Sequence, residues 1–260
     1  ALNRPFADAI GDTRVHFSAP VARGETEAFE AERSLPHATA EALQAKGWKV
    51  VLPEDAGLTV ATNGVDVAAA VLHPDAELTV AGVCGNPTRL GFVAALREMG
   101  ADIEVTAVGD AGGEPVVDVT ARSSQLRGIE LAPELVPSLV DEVPILALCC
   151  ACAGSPSVLR GLAELRVKES DRLDASARLL QALGGNVEVE GDDLHIGPRP
   201  HAVTRLAWQP GLDHRMALTA AVAGLVGVAD IRVDGWQTTA SSFPGFVELI
   251  AAVSGDPARA

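Results

Sequence analysis

The chain is predicted to adopt an α/β fold in which β-α-β-α-β-β units repeat, with buried helices at the centre surrounded by mixed sheets. Three observations carry this prediction. A strand and helix alternation starts near residue 58 and recurs twice more. The segments 145–153 and 217–226 are apolar on nearly every helical face, so other elements must surround them in a chain with no membrane-length apolar run. Finally, 260 residues with 48% apolar and 21% charged side chains suffice to bury a sizeable core.

The first unit reads as strand 58–61, helix 65–72, strand 77–83, helix 87–100 and a strand pair, 102–108 and 115–122. The second repeats the order: strand 127–131, helix 144–153, strand 157–162, helix 171–183, and paired strands 186–190 and 193–196. The third runs through strand 203–207, helix 213–226, strand 230–234 and helix 244–253, then stops without its closing strand pair. Residues 1–56 fall outside the rhythm. Within them 14–18 and 49–52 read as strands flanking a helical stretch, 25–46, interrupted at Pro36, and one or both strands are expected to complete the third unit. The expected division is an atypical N-terminal segment, 1–56, followed by one domain of three repeat units, 57–260.

A net charge of −15 without a long basic block excludes a non-specific nucleic-acid binder, because phosphate neutralisation needs clustered cations. An anionic ligand must be held by local cations against the overall field. The stretch from Ala1 to Phe17 lacks a basic region followed by an apolar one, so the expectation is a cytoplasmic protein that meets no membrane. Cys84, Cys149, Cys150 and Cys152 are too few and too clustered for a disulfide framework. Cys149 and Cys152 form a C-x-x-C inside an apolar run with no second cysteine pair or neighbouring histidine; they read as small core side chains, and no metal is expected.

Cations stand where helices begin, although the backbone dipole there is already positive. Asn86-Pro87-Thr88-Arg89 supplies an N-cap, a proline at the first helical position and then Arg89. Lys168-Glu169-Ser170-Asp171-Arg172 opens a second helix and Asp213-His214-Arg215 a third. Taken singly, each arginine reads equally as a solvated surface charge; three together point to cradles for carboxylates or phosphates. In the second motif Lys168 and Arg172 are spaced to share one helical face with Glu169 between them, a cluster able to hold an anion and move a proton.

The stretch from Glu164 to Leu173, with its core Arg166-Val167-Lys168-Glu169-Ser170-Asp171-Arg172, resembles the C-terminal signature of the enolpyruvyl transferases, specifically the 5-enolpyruvylshikimate-3-phosphate synthase family. Four further blocks follow that family's order and spacing: Gly85-Asn86-Pro87-Thr88-Arg89, Val140-Asp141-Glu142-Val143-Pro144, Asp213-His214-Arg215-Met216-Ala217 and Ser242-Phe243-Pro244-Gly245-Phe246. They look most like the bacterial glyphosate-insensitive branch. The resemblance implies one enolpyruvyl-transferase-like domain and a reaction between phosphoenolpyruvate and shikimate 3-phosphate, without a metal or organic cofactor. It implies that Asp141 accepts the proton of the shikimate 5-hydroxyl and that Glu169 exchanges a proton at the methylene carbon of phosphoenolpyruvate, with His214 nearby. Arg172 and Arg215 are implied to clamp phosphoenolpyruvate, Lys168 to reach shikimate 3-phosphate and the developing charge, and Glu164 to touch substrate. Read without the family, Asp141 serves equally as a helix cap and His214 as a capping or surface histidine.

Members of that family normally carry two similar domains that close on the substrates. Residues 1–56 contain none of the first domain's Gly-Ser-Lys-Ser motif, its Asn-Ala-Gly-Thr loop or its further anion-binding arginine. Ser123-Ser124-Gln125 mimics the first domain's phosphate clamp but directly follows a strand, and reads as a turn. Some relatives have a lysine just before the last block, where this chain has Ala240 or Ser241. The chain is therefore expected to be either an active transferase whose opposing face comes from a second chain, a homodimer partner or an unusual N-terminal segment, or a non-catalytic half that binds the anions weakly. The related UDP-N-acetylglucosamine branch lacks both the Lys168-Glu169 segment and the Asp213-His214-Arg215 block, which disfavours that reading.

Overall fold

The computed structural model describes residues 14–17, 63–74, 76–111, 113–199, 203–235 and 238–239. The elements expected at 25–46, 49–52, 58–61 and 244–253, and the Ser242 to Phe246 block, lie outside the described residues. So does most of the expected 1–56 segment; β1 (Arg14–Phe17) is its described part, and it pairs antiparallel with β10 (Asp230–Asp234), a strand of the third unit.

Each unit builds its own sheet. In the first, α1 (Asn63–Leu72) precedes β2 (Glu77–Cys84), and β3 (Asp102–Ala111) and β4 (Glu114–Arg122) complete an antiparallel sheet in the order β2-β4-β3. In the second, β5 (Glu130–Leu131), β6 (Ser157–Leu159), β7 (Asn186–Glu190) and β8 (Asp193–Gly197) form a mixed sheet, β5-β6-β8-β7. The third sheet is β1-β10-β9, with β9 (Arg205–Trp208) parallel to β10.

The helices fill the space between. α3 (Val143–Cys152) is buried from Val143 to Ala151, and α5 (His214–Leu225) from Arg215 to Leu225. These two pack on each other, on α1 and on α4 (Arg172–Ala182), while the sheets cover the outside. Alanine, glycine and cysteine on α3 and α5 let the backbones approach closely, and the apolar side chains bury without a polar face to satisfy. The expectation of internal helices and external sheets is met.

Differences have local causes. The helix expected over 87–100 is broken: Asn86 Oδ1 caps a 3₁₀ turn, Pro87–Arg89, and α2 (Gly91–Glu98) starts afterwards. Gly91 marks the join because a Cβ there would clash with the Ser138 side chain. The strand expected over 127–131 shrinks to β5, since the amides of Gly128 and Ile129 bond to the hydroxyls of Ser155 and Ser157 instead of a neighbouring strand. Ser124 closes the turn after β4, its hydroxyl bonding Arg122 O and accepting from the Asp102 amide. Cys149 and Cys150 are buried, and burial pushes the Cys150 thiol up to about 12; Cys152, the last residue of α3, is exposed, unlike the core position expected for it.

Candidate active site

The helix starts of α4 and α5 meet at Asp213. This residue is an N-cap, so its Oδ1 accepts from the Arg215 amide at 3.0 Å. Its Oδ2 accepts from Ser170 Oγ at 2.7 Å and from Arg172 Nε at 2.9 Å. Asp213 is 0% exposed and Arg172 1%, so the pair is fully buried. Burial by itself would raise the carboxyl's pKa; hydrogen bonds from Ser170 and Arg172 outweigh it and hold the group below the usual range.

Arg172 reaches two more carboxylates. Its Nη1 donates to Asp141 Oδ1 at 3.0 Å and its Nη2 donates to Glu169. Asp141 stands on a 3₁₀ turn, Val140–Glu142, immediately before α3, and there it also meets the second arginine. Arg215 Nη1 donates to the Asp141 carbonyl at 3.2 Å and to Glu142 Oε1 at 3.4 Å, and its Nη2 lies 3.7 Å from Asp141 Oδ2. Glu142 is mostly buried, and burial pushes its carboxyl up while Arg215 opposes the shift. Two cations at helix N-termini, otherwise unfavourable, are thus balanced by acidic side chains from three separate chain segments.

The structure therefore brings Asp141, Glu169, Arg172 and Arg215 into one network, with His214 at its edge. His214 is half-buried; burial first, then the positive fields of Arg215 and Arg172, lower its pKa, while Asp213 and Glu169 oppose them. A proton-resonance titration is expected to give His214 a midpoint below the ordinary value of about 6.5. Protonation then favours the unfolded chain, so the histidine's stabilising share is present above pH ~6.5 and fades as pH falls through the lowered midpoint. A midpoint at or above the ordinary value contradicts this geometry.

Lys168 and Glu164 form a pair of their own, Nζ to Oε1 at 2.6 Å, joined to the network through the neighbouring Glu169 and Ser170. The helical face expected to carry Lys168 and Arg172 does not exist, because Ala163–Val167 is a 3₁₀ turn, Lys168 is extended, and α4 begins only at Arg172 behind the cap of Asp171. Arg166 turns away to Asp192, Asp171 and the Gly191 carbonyl, fastening this loop to the β7–β8 turn. Arg89 is exposed and makes no ion pair among the described residues, so the first of the three cationic helix starts stands outside the network. Asp213 and Glu142 were not singled out from sequence as site residues. An aspartate directly before His-Arg at a helix start was the signal available for the first; nothing local distinguished the second.

The model of the EPSP synthase (3-phosphoshikimate 1-carboxyvinyltransferase) family matches residues 49–250. Curated relatives named 3-phosphoshikimate 1-carboxyvinyltransferase include one from Roseiflexus sp. (strain RS-1), 48% identical over 186 residues, which covers 72% of this chain and 43% of the relative. Another, from Phenylobacterium zucineum, is 39% identical over 258 residues, covering 90% of this chain and 56% of the relative. Among solved structures, an EPSP synthase from Acinetobacter baumannii superposes with a TM-score of 0.69 at 34% identity, covering 74% of this chain and 44% of that one. The enolpyruvyl transferase NikO from Streptomyces tendae shares the fold, with a TM-score of 0.53 at 23% identity. The chain spans about half the length of the curated relatives it matches.

Proposed function

The chain belongs to the EPSP synthase family, and from that premise we propose that it takes part in transferring the enolpyruvyl group of phosphoenolpyruvate to the 5-hydroxyl of shikimate 3-phosphate, with release of phosphate. The observation that carries this is Asp141 held by both Arg172 and Arg215 at the convergence of two helix N-termini. Planar guanidinium forks at helix starts suit the phosphate and carboxylate of phosphoenolpyruvate. Asp141 is the candidate acceptor of the hydroxyl proton, and Glu169 exchanges the proton at the methylene carbon during addition and elimination. Lys168 stands with Glu164 one residue before Glu169, in reach of a second anion and of the charge that develops in the tetrahedral intermediate. His214, kept mainly neutral near pH 7 by its surroundings, supplies a hydrogen bond rather than a charge. The reading calls for no metal or organic cofactor. No helix among the described residues is long and apolar enough to cross a membrane, and the proposed setting is the cytoplasm.

A second reading has its own support. The curated relatives are about twice the length matched here, and each nitrogen of Arg172 already meets one of the chain's own carboxylates, as in a half-site awaiting its other face. In that reading the opposing face comes from a homodimer partner or a second chain, and the domain alone binds the two anions weakly. Incubating the purified chain with both substrates and following phosphate release separates the two. Turnover that Arg172→Ala reduces at least about 100-fold supports the first reading. No turnover above that variant removes the active-alone reading and leaves the partner-dependent one.

A further inference from the structure

Arg172 is already ligated as though an anion were bound. Its Nε, Nη1 and Nη2 go to Asp213, Asp141 and Glu169 in turn, and with 1% of the side chain exposed an incoming anion reaches it only if a group now packed against it moves. The three are not equally held. Asp213 is fully buried and accepts from three donors. Asp141 also engages Arg215 through its side chain and its carbonyl. Glu169 has 52% of its side chain exposed and no other hydrogen bond among the described residues, and it stands in a loop rather than a helix.

We infer that Glu169 is the internal occupant of the anion seat on Arg172, and that an arriving phosphate or carboxylate displaces it into solvent-facing space beside the bound ligand. The inference rests on the reading of Arg172 as an anion seat. Its chemical consequence is that the carboxylate proposed to exchange a proton with the substrate is tied up until substrate arrives, so that binding and the release of the proton carrier are one event. The cost is affinity, since the apparent dissociation constant is the intrinsic one divided by the fraction of molecules with the seat open.

Calorimetric titration of the chain with phosphoenolpyruvate tests this. Glu169→Gln removes the internal competitor's charge from an exposed position and is expected to tighten binding about threefold to tenfold. Asp174→Asn, which removes the same charge from the outer side of α4 where it pairs with Arg178, is expected to change affinity less than about twofold. Adding Arg172→Lys to Glu169→Gln takes away the fork while keeping a cation for the buried Asp213, and is expected to erase the gain. Glu169→Gln binding no tighter than the parent, while Arg172→Lys in the parent still weakens it, overturns the displacement alone. Binding that ignores Arg172→Lys in every background, or no binding by any chain, overturns the seat itself and the displacement with it.

Discussion

Replacing Asp213 by alanine is expected to lower the unfolding free energy by about 3–5 kcal/mol, because it strands a buried cation and removes a helix cap in one step. Arg172 keeps Asp141 and Glu169, but both lie at the solvent-facing side of the network; the wholly buried partner on Nε is lost. The Arg215 amide and the Ser170 hydroxyl lose their acceptor as well. For a domain of this size the melting midpoint is expected to drop by about 6–15 °C, checked by calorimetry or circular dichroism. The pH dependence has a definite sign. Asp213 has a folded pKa below its unfolded value, so its contribution is complete above pH ~4 and is lost as pH falls through the lower folded value. The alanine variant should therefore show a smaller loss of stability than the parent on acidification from pH ~4 downward. A melting change under about 2 °C at neutral pH would mean that Asp213 does not organise the two helix starts.

That residue also shows what the sequence made legible and what it hid. The helix starts near Asp171 and Asp213, the apolar runs that become α3 and α5, and the strands at 186–190 and 230–234 all follow from short-range pattern, and the structure has them within a residue or two. The order of the motifs along the chain resembled one family closely enough to name the arginines. Long-range partnership was another matter. That Asp141, 31 residues before Arg172, and Asp213, 41 residues after it, bond one guanidinium depends on the 3₁₀ turn before α3 and on α4 and α5 packing together. Lys168 illustrates the opposite failure: spacing alone placed it on a helical face with Arg172, but the cap at Asp171 delays the helix, and the lysine closes on Glu164 behind it. Gly91 likewise reads as an ordinary helix interior until Ser138 is found where its Cβ would stand, which only the fold supplies.

The largest functional effect is expected at Asp141. Among the described residues its carboxylate is the one that both buried guanidinium groups reach, and 43% of its side chain remains exposed. In the proposed reaction the proton acceptor must lie within hydrogen-bond reach of one substrate while the arginines hold the other, and a short side chain on a 3₁₀ turn, bonded to both arginines, suits that role. Asp141→Asn preserves the shape and one acceptor oxygen towards Arg172 but cannot take the proton. Turnover measured by phosphate release at saturating substrates is expected to fall about 10²- to 10⁴-fold, with KM values changing by less than about tenfold. The backbone carbonyl that receives Arg215 is untouched, so the melting midpoint should move much less than for Asp213→Ala. The opposite pattern, a lowered midpoint with turnover kept within about tenfold, would assign Asp141 to capping α3 and holding the arginines apart, and the proton acceptor would then have to come from the face that closes over this one.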